Sequence, residues 1–192
     1  MYNLDEKDLV KLFEERFSNE FDIHKEFTDD SRKNRIDFIL QHKKYDLLIG
    51  VECKHTYTKR GTEVGKIVQQ AIRYSVAKFM GKRIPVFLFP PISKEIFVTP
   101  LKTVELNDQI SIYVDRHHND SAYHHTFNGF LGAFNVGEII PKKDGSIFMF
   151  SNDIIYNSYK DPKYAGYFNQ HKYHNLLKKI NSFELNDHFS RH

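Results

Sequence analysis

Two acidic residues and one lysine stand close to the ends of two predicted strands. Asp37 lies in a predicted strand over 35–40, and Glu52 and Lys54 lie in a predicted strand over 47–54. Side chains alternate between the two faces of a strand, so Glu52 and Lys54 point the same way. Asp37 lies beside them when the two strands pair. An exposed strand end that carries an ion pair is the plain structural alternative.

This set has the chemistry of a site for a hydrated divalent cation. Two carboxylates and a backbone carbonyl, here that of Cys53, provide the oxygen ligands that Mg²⁺ prefers when waters and a substrate phosphate complete its coordination. A neighbouring lysine can orient or deprotonate a water molecule and offset the charge that develops on a phosphate. The pattern therefore indicates metal-assisted cleavage of a phosphate ester.

Hydrophobic periodicity predicts an α/β core around these residues. The predicted elements are a helix over 6–17 capped by Asp5, strands over 22–27, 35–40 and 47–54, a helix over 62–80 ended by Gly81, and a strand over 84–89. The order αβββαβ is typical of a mixed sheet with flanking helices.

The part of the chain after Pro91 gives weaker patterns. We expect strands over 96–98 and 110–114, a hairpin of 138–140 with 147–150, and a closing helix over 173–180. Sixteen of the 28 Phe and Tyr residues lie here. This half should therefore be packed rather than form a solvated tail.

The pattern Asp37…Glu52-Cys53-Lys54 resembles the D…(D/E)xK signature of the PD-(D/E)xK nuclease superfamily. The αβββαβ order is similar to the common core of that superfamily, and Ile36 stands where a proline is usual. The resemblance implies a restriction-endonuclease-like core over residues 1–90. Residues 91–192 would be a C-terminal extension that completes the sheet, contacts substrate or forms the interface of a homo-oligomer.

Two further residue patterns are similar to elements of this superfamily. Gln70 and Tyr74, sixteen and twenty residues after Lys54, match the QxxxY element of RecB-like and phage-exonuclease-like branches. One helical turn separates them, so both lie at one edge of the apolar stripe, where simple boundary packing is the alternative. Glu6 matches a first-helix glutamate that touches the metal site, although a first-turn glutamate also favours the helix dipole.

The resemblance implies a Mg²⁺-dependent deoxyribonuclease, with Mn²⁺ able to substitute. Asp37, Glu52 and the Cys53 carbonyl would hold the ion, with Glu6 as an additional ligand. Lys54 would position the attacking water, and Gln70 and Tyr74 would orient the site and the DNA strand. The products would carry 5′-phosphate and 3′-hydroxyl ends.

The distribution of charge favours a polyanionic partner. The net charge is only +3, but residues 43–83 carry ten basic and three acidic residues, whereas residues 91–192 carry eleven of each. Cations near a nucleic acid release condensed counterions, which drives binding. We expect the DNA contacts to come from Lys59, Arg60, Lys66 and Arg73. A solvated surface without a partner is the alternative.

Composition excludes several classes of protein. A single cysteine leaves no disulfide framework and no four-cysteine zinc or iron–sulfur site. The chain has no apolar run of membrane-spanning length and begins with an acidic segment instead of a secretory signal. There is also no phosphate-binding GxxxxGK[ST] loop for an ATPase. We therefore expect a soluble, cytoplasmic protein without a membrane partner.

Two other interpretations remain beside the nuclease. The first is a non-catalytic DNA- or protein-binding module on the same fold, such as a phage-encoded inhibitor. A binding module has no need for an intact set of Asp37, Glu52 and Lys54, which argues against it. The second is a zinc site among the histidines of segment 117–125, for which the usual ligand spacing from two elements is missing.

Overall fold

The computed structural model describes residues 6–53, 61–89, 91, 102–107, 110–114, 129–142, 145–159 and 166–182. The longer helices are α1 (Glu6–Phe17), α2 (Gly61–Val76) and α3 (Gln170–Ser182), and a short helix covers residues 129–133. The strands are β1 (Phe21–Thr28), β2 (Arg35–His42), β3 (Leu48–Cys53), β4 (Val86–Phe89), β5 (Lys102–Asn107), β6 (Ile110–Val114), β7 (Val136–Lys142), β8 (Gly145–Phe150), β9 (Asp153–Tyr159) and β10 (Tyr167–Phe168). The predicted mixed α/β class is confirmed.

Eight strands form one mixed sheet in the order β1-β2-β3-β4-β7-β8-β9-β10, and β5 and β6 form a separate hairpin. The pairs β3–β4 and β4–β7 are parallel, whereas the remaining pairs of the large sheet are antiparallel. The large sheet therefore contains strands from before and after residue 90, because β7 pairs directly with β4. None of the helices in the described ranges has both the length and the hydrophobicity that a membrane-spanning segment requires.

Helices cover both faces of the sheet. On one face, α1 and α3 pack on an aromatic core in which Phe13 stacks on Phe38 with ring centroids 4.8 Å apart. The other face carries α2, whose apolar side packs on Ile39, Val86 and neighbouring residues. This division follows from the alternation of side chains along the strands, with Ile36 near the start of β2 as an exception, because it packs beneath α2 although Phe38 lies in the aromatic core.

Gly50 shows to which face Glu52 belongs. A Cβ atom on Gly50 would lie 2.7 Å from Ile36 Cδ1 and 3.4 Å from Val86 Cγ2, both in the core beneath α2. Glu52 is two residues further along β3 and therefore lies on that same face. Val51 and Cys53 belong instead to the aromatic core beneath α1.

The predicted end of the second helix is wrong by four residues. α2 ends at Val76, and Phe79 pairs with Lys82 across a tight turn in which Met80 and Gly81 have φ values of 54° and 75°. Phe79 is nevertheless fully buried in the core beneath α2. The periodicity of apolar residues extended the predicted helix to Phe79 because this residue packs against the same core as α2.

The other predicted elements of the described chain are confirmed within a few residues, and three strands were not predicted. They are β5, β9 and β10. Neither β9 nor β10 shows a clear apolar alternation, and a register shift between Phe148 and Met149 interrupts the pairing of β8 with β9. The predicted strand over 96–98 and the capping residue Asp5 lie outside the described residues.

Candidate functional site

Asp37 and Glu52 lie on neighbouring strands at the end of their pairing. The antiparallel register of β2 and β3 pairs Phe38 with Val51, and its continuation by one residue sets Asp37 opposite Glu52. The backbone N–H of Cys53 donates to Asp37 Oδ2 at 2.7 Å. The carboxylate therefore takes the place of a backbone acceptor where the two strands stop pairing.

The two carboxylates differ in exposure. Glu52 is 1% exposed, whereas Asp37 is half-buried. Burial of a carboxylate is costly unless hydrogen-bond donors or a cation compensate its charge. Glu52 is therefore a polar residue at an apolar position, held at the carboxyl end of β3 beneath α2.

Gln70 and Tyr74 form a hydrogen-bonded pair on α2. Gln70 Nε2 donates to Tyr74 Oη at 2.5 Å, and Tyr74 is buried in the core beneath the helix. Because α2 packs on the sheet face that carries Glu52, this pair and the glutamate lie on the same side of the sheet. The predicted proximity of Gln70 and Tyr74 is confirmed, and their functional role stays a prediction.

Lys66 and Arg73 are both exposed on α2. They are seven residues apart, two helical turns, and so lie on one side of the helix. Lys54, Lys59, Arg60 and the histidines of segment 117–125 lie outside the described residues, and so does the side chain of Glu6, whose backbone begins α1.

Glu138 is a buried carboxylate that sequence reasoning missed as a site residue. The registers pair Glu52 with Leu88 and Leu88 with Glu138, so the two glutamates occupy one row of the sheet, about 9.6 Å or two strand spacings apart. Glu138 is 1% exposed. A lone acid inside the apolar segment 136–140 was the pattern that could have identified it.

The described donors fit a hydrated Mg²⁺ ion. Such an ion usually takes one or two carboxylates and fills its other positions with water and phosphate oxygen. Asp37, Glu52 and the Cys53 carbonyl are hard oxygen donors on adjacent strands. Within the described ranges, no three His, Cys, Asp or Glu residues are grouped so as to hold a metal ion by themselves.

A second polar cluster lies at the other end of β2, and we call Glu20, His42 and Tyr156 the buried relay. His42 Nδ1 accepts the backbone N–H groups of Lys44 (2.9 Å) and Tyr45 (3.1 Å), so the ring proton is on Nε2, which donates to Tyr156 Oη at 3.0 Å. The Tyr156 hydroxyl in turn donates to the Glu20 carboxylate.

Burial shifts the pKa values of all three residues of the relay. Desolvation, with a smaller contribution from the charge of Lys44, lowers the pKa of His42 to about 4. Burial also raises the pKa of Glu20 and, with help from the Glu20 charge, that of Tyr156. His42 is therefore neutral at physiological pH, and the relay joins β2 and β9 to the turn between α1 and β1.

Comparisons of this chain with protein-family models, with curated proteins and with solved structures found no match. The function is therefore inferred from the side chains and their positions.

Proposed function

We propose that the chain is a metal-dependent deoxyribonuclease built on a restriction-endonuclease-like core. The observation that carries the proposal is the juxtaposition of Asp37 and Glu52 at the point where β2 and β3 stop pairing, tied by the Cys53 N–H bond to Asp37. Two carboxylates from adjacent strands, with Lys54 two residues after Glu52 in the sequence, are the groups that metal-assisted phosphodiester hydrolysis requires.

The order of elements supports the same assignment. Over Glu6–Phe89 the described elements follow the order αβββαβ, with β1, β2 and β3 antiparallel and β4 parallel to β3. Helices lie on both faces of these strands. These features are compatible with the common core of the superfamily whose sequence signature the chain resembles.

Each residue of the proposed site has a separate task. Asp37, Glu52 and the Cys53 carbonyl would hold Mg²⁺ or Mn²⁺, with Glu6 as an additional ligand. The bound ion would lower the pKa of its water and polarise the phosphate. Lys54 would orient the water and offset the negative charge of the pentacovalent transition state.

Residues on α2 would support these groups. The bond from Gln70 to Tyr74 fixes both side chains in one orientation, which suits residues that position a strand or a ligand. Lys66 and Arg73, exposed on the same helix, would contact phosphates together with Lys59 and Arg60. These contacts would supply affinity without sequence specificity.

A cleavage assay tests the proposal. Linear, circular and branched DNA are incubated with the protein in Mg²⁺, Mn²⁺ or EDTA, and the parent should cut at least one form in either metal but none in EDTA. Glu52→Gln should lose cleavage, whereas the matched control Asp22→Asn, an exposed strand carboxylate on β1, should cut normally.

The competing function is a binding module that retains the fold without activity. It would be favoured if the parent bound DNA but cut none of the three forms in either metal. Equal cleavage by Glu52→Gln and the parent would also contradict the proposed site.

A further inference from the structure

Two exposed tyrosines and a lysine share one face at the far edge of the large sheet. The registers pair Lys142 with Gly145 and Gly145 with Tyr159. Tyr167 of the edge strand β10 pairs with Asn157, which is two residues before Tyr159 on β9. We call Lys142, Asn157, Tyr159 and Tyr167 the tyrosine face.

This face is open to solvent at its outer edge. Tyr159 is 38% exposed and Tyr167 is 59% exposed, and Lys142 is also exposed. Gly145, which pairs with both Lys142 and Tyr159, adds no side chain to this face, and a Cβ atom there would collide with the backbone of Ser158. The neighbouring strand positions Tyr156 and Phe168 point the other way, into the aromatic core beneath α1.

The rings of Tyr159 and Tyr167 are far enough apart for each to contact a different base. Two residues along β9 and one strand spacing separate the Cα atoms of Tyr159 and Tyr167 by about 8 Å. The Asn157 amide donates to Tyr159 Oη at 3.2 Å, which restricts that ring. A stacking platform for unpaired bases combines exposed aromatic rings with nearby cations in this way, because every base has a π-face.

We propose that the tyrosine face binds single-stranded nucleic acid, with Tyr159 and Tyr167 stacking on unpaired bases and Lys142 contacting phosphate. In a duplex the faces of the bases are already stacked on neighbouring bases, so a surface that binds by stacking selects for single strands. The inference deepens the proposed nuclease function, since it names the form of the substrate, and it rests on that function.

The tyrosine face and the candidate site lie on the same side of the sheet. Lys142 is four residues after Glu138 on β7, so both side chains share a face, and Glu138 lies in the row of Glu52. Four strand spacings, about 19 Å, separate β3 from β9, and the row of Lys142 and Tyr159 lies four residues, about 13 Å, beyond the row of Glu52 and Glu138, so the two regions are about 23 Å apart. One single strand could therefore contact both regions.

Binding of a labelled oligothymidylate in EDTA tests the proposal without any cleavage. Fluorescence anisotropy should show that Tyr167→Ala and Tyr159→Ala each weaken binding by about 5-fold to 150-fold, whereas Tyr167→Phe stays within about 2-fold of the parent. Lys142→Gln should reduce the salt slope by about 0.7. Phe130→Ala is the matched control, because Phe130 is an exposed aromatic residue, 49% exposed, on the short helix 129–133 that precedes β7.

Several results would overturn the proposal. They are unchanged affinity in both alanine variants, an equal loss in Phe130→Ala or Tyr167→Phe, or an equal loss of duplex binding. Failure here and failure of the nuclease are distinguishable. If binding depends on the tyrosines but no DNA is cleaved, the binding surface is supported and the nuclease function is rejected. If DNA is cleaved but binding does not depend on the tyrosines, the nuclease function is supported and the binding surface is rejected.

Discussion

Asp37 is expected to hold the strand end and the metal ion with one carboxylate, and two substitutions separate these roles. Asp37→Asn keeps an oxygen that can accept the Cys53 N–H, but it removes the negative charge. Asp37→Ala removes both. The two variants should therefore differ in stability while losing the metal alike.

The magnitude follows from the hydrogen bond of 2.7 Å between Cys53 N and Asp37 Oδ2. A hydrogen bond to a charged group contributes about 1.5–3 kcal/mol, and Cys53 is fully buried, so its N–H has little access to water. Asp37→Ala should therefore lower the free energy of unfolding by about 1.5–3 kcal/mol. Asp37→Asn should lose about 1 kcal/mol or less, the difference between a charged and a neutral acceptor.

Urea unfolding followed by circular dichroism measures stability, and calorimetric titration with Mg²⁺ and Mn²⁺ measures binding. Both variants should bind the ions at least 10-fold more weakly than the parent. The reasoning is refuted if Asp37→Asn and Asp37→Ala are equally stable, since the Cys53 bond would then contribute nothing. Unchanged metal affinity in both variants would move the metal away from this strand pair.

Two further predictions concern stability. The folded-state pKa of His42, about 4, lies below its ordinary value of 6.5, so protonation favours the unfolded chain and stability should fall as the pH drops from 6.5 through 4. Partial screening by solvent limits the loss to about 1–3 kcal/mol, and the pH dependence should be smaller in His42→Gln when unfolding is measured across this range. Arg16, whose pKa burial lowers to about 10, donates to Ser146 Oγ and to the carbonyls of Lys142 and Gly145, so Arg16→Met should cost about 1.5–3 kcal/mol in urea unfolding. The exposed Lys11→Met should change little, and equal losses in the two variants would reject this role for Arg16.

The first half of the fold was predictable because its local patterns agree with one another. Apolar residues recur at helical spacing in α1, and β2 and β3 carry continuous apolar runs bounded by polar loops. The juxtaposition of Asp37 and Glu52 followed from that strand pair alone. Local pattern and tertiary packing point to the same structure here.

The second half was less predictable because its contacts are distant in sequence. Tyr173 of α3 donates to the Leu48 carbonyl and accepts the Leu48 N–H, a link between residues 125 positions apart. The parallel pairing of β7 with β4 likewise joins segments about fifty residues apart. Neither contact leaves a local pattern in the sequence. The alignment of Glu138 with Glu52 across β4 could therefore not be predicted, and only the sheet register shows it.

The buried relay shows the same limit for polar residues. Glu20, His42 and Tyr156 come from three distant segments, and none is part of a recognisable motif. Their chemistry depends on burial, which a sequence does not display for an isolated polar residue.

The most direct test of the nuclease proposal compares cleavage and DNA binding in the parent and Lys54→Ala. Lys54 would act mainly when water attacks phosphorus, so its loss should slow cleavage by at least about 10²–10⁴-fold while DNA affinity in EDTA stays within about 2-fold. Lys44→Ala, which removes an exposed cation from the turn after β2, should cut at the parental rate. Cleavage by Lys54→Ala as fast as the parent, or no cleavage of any DNA form by the parent in Mg²⁺ or Mn²⁺, would contradict the proposal.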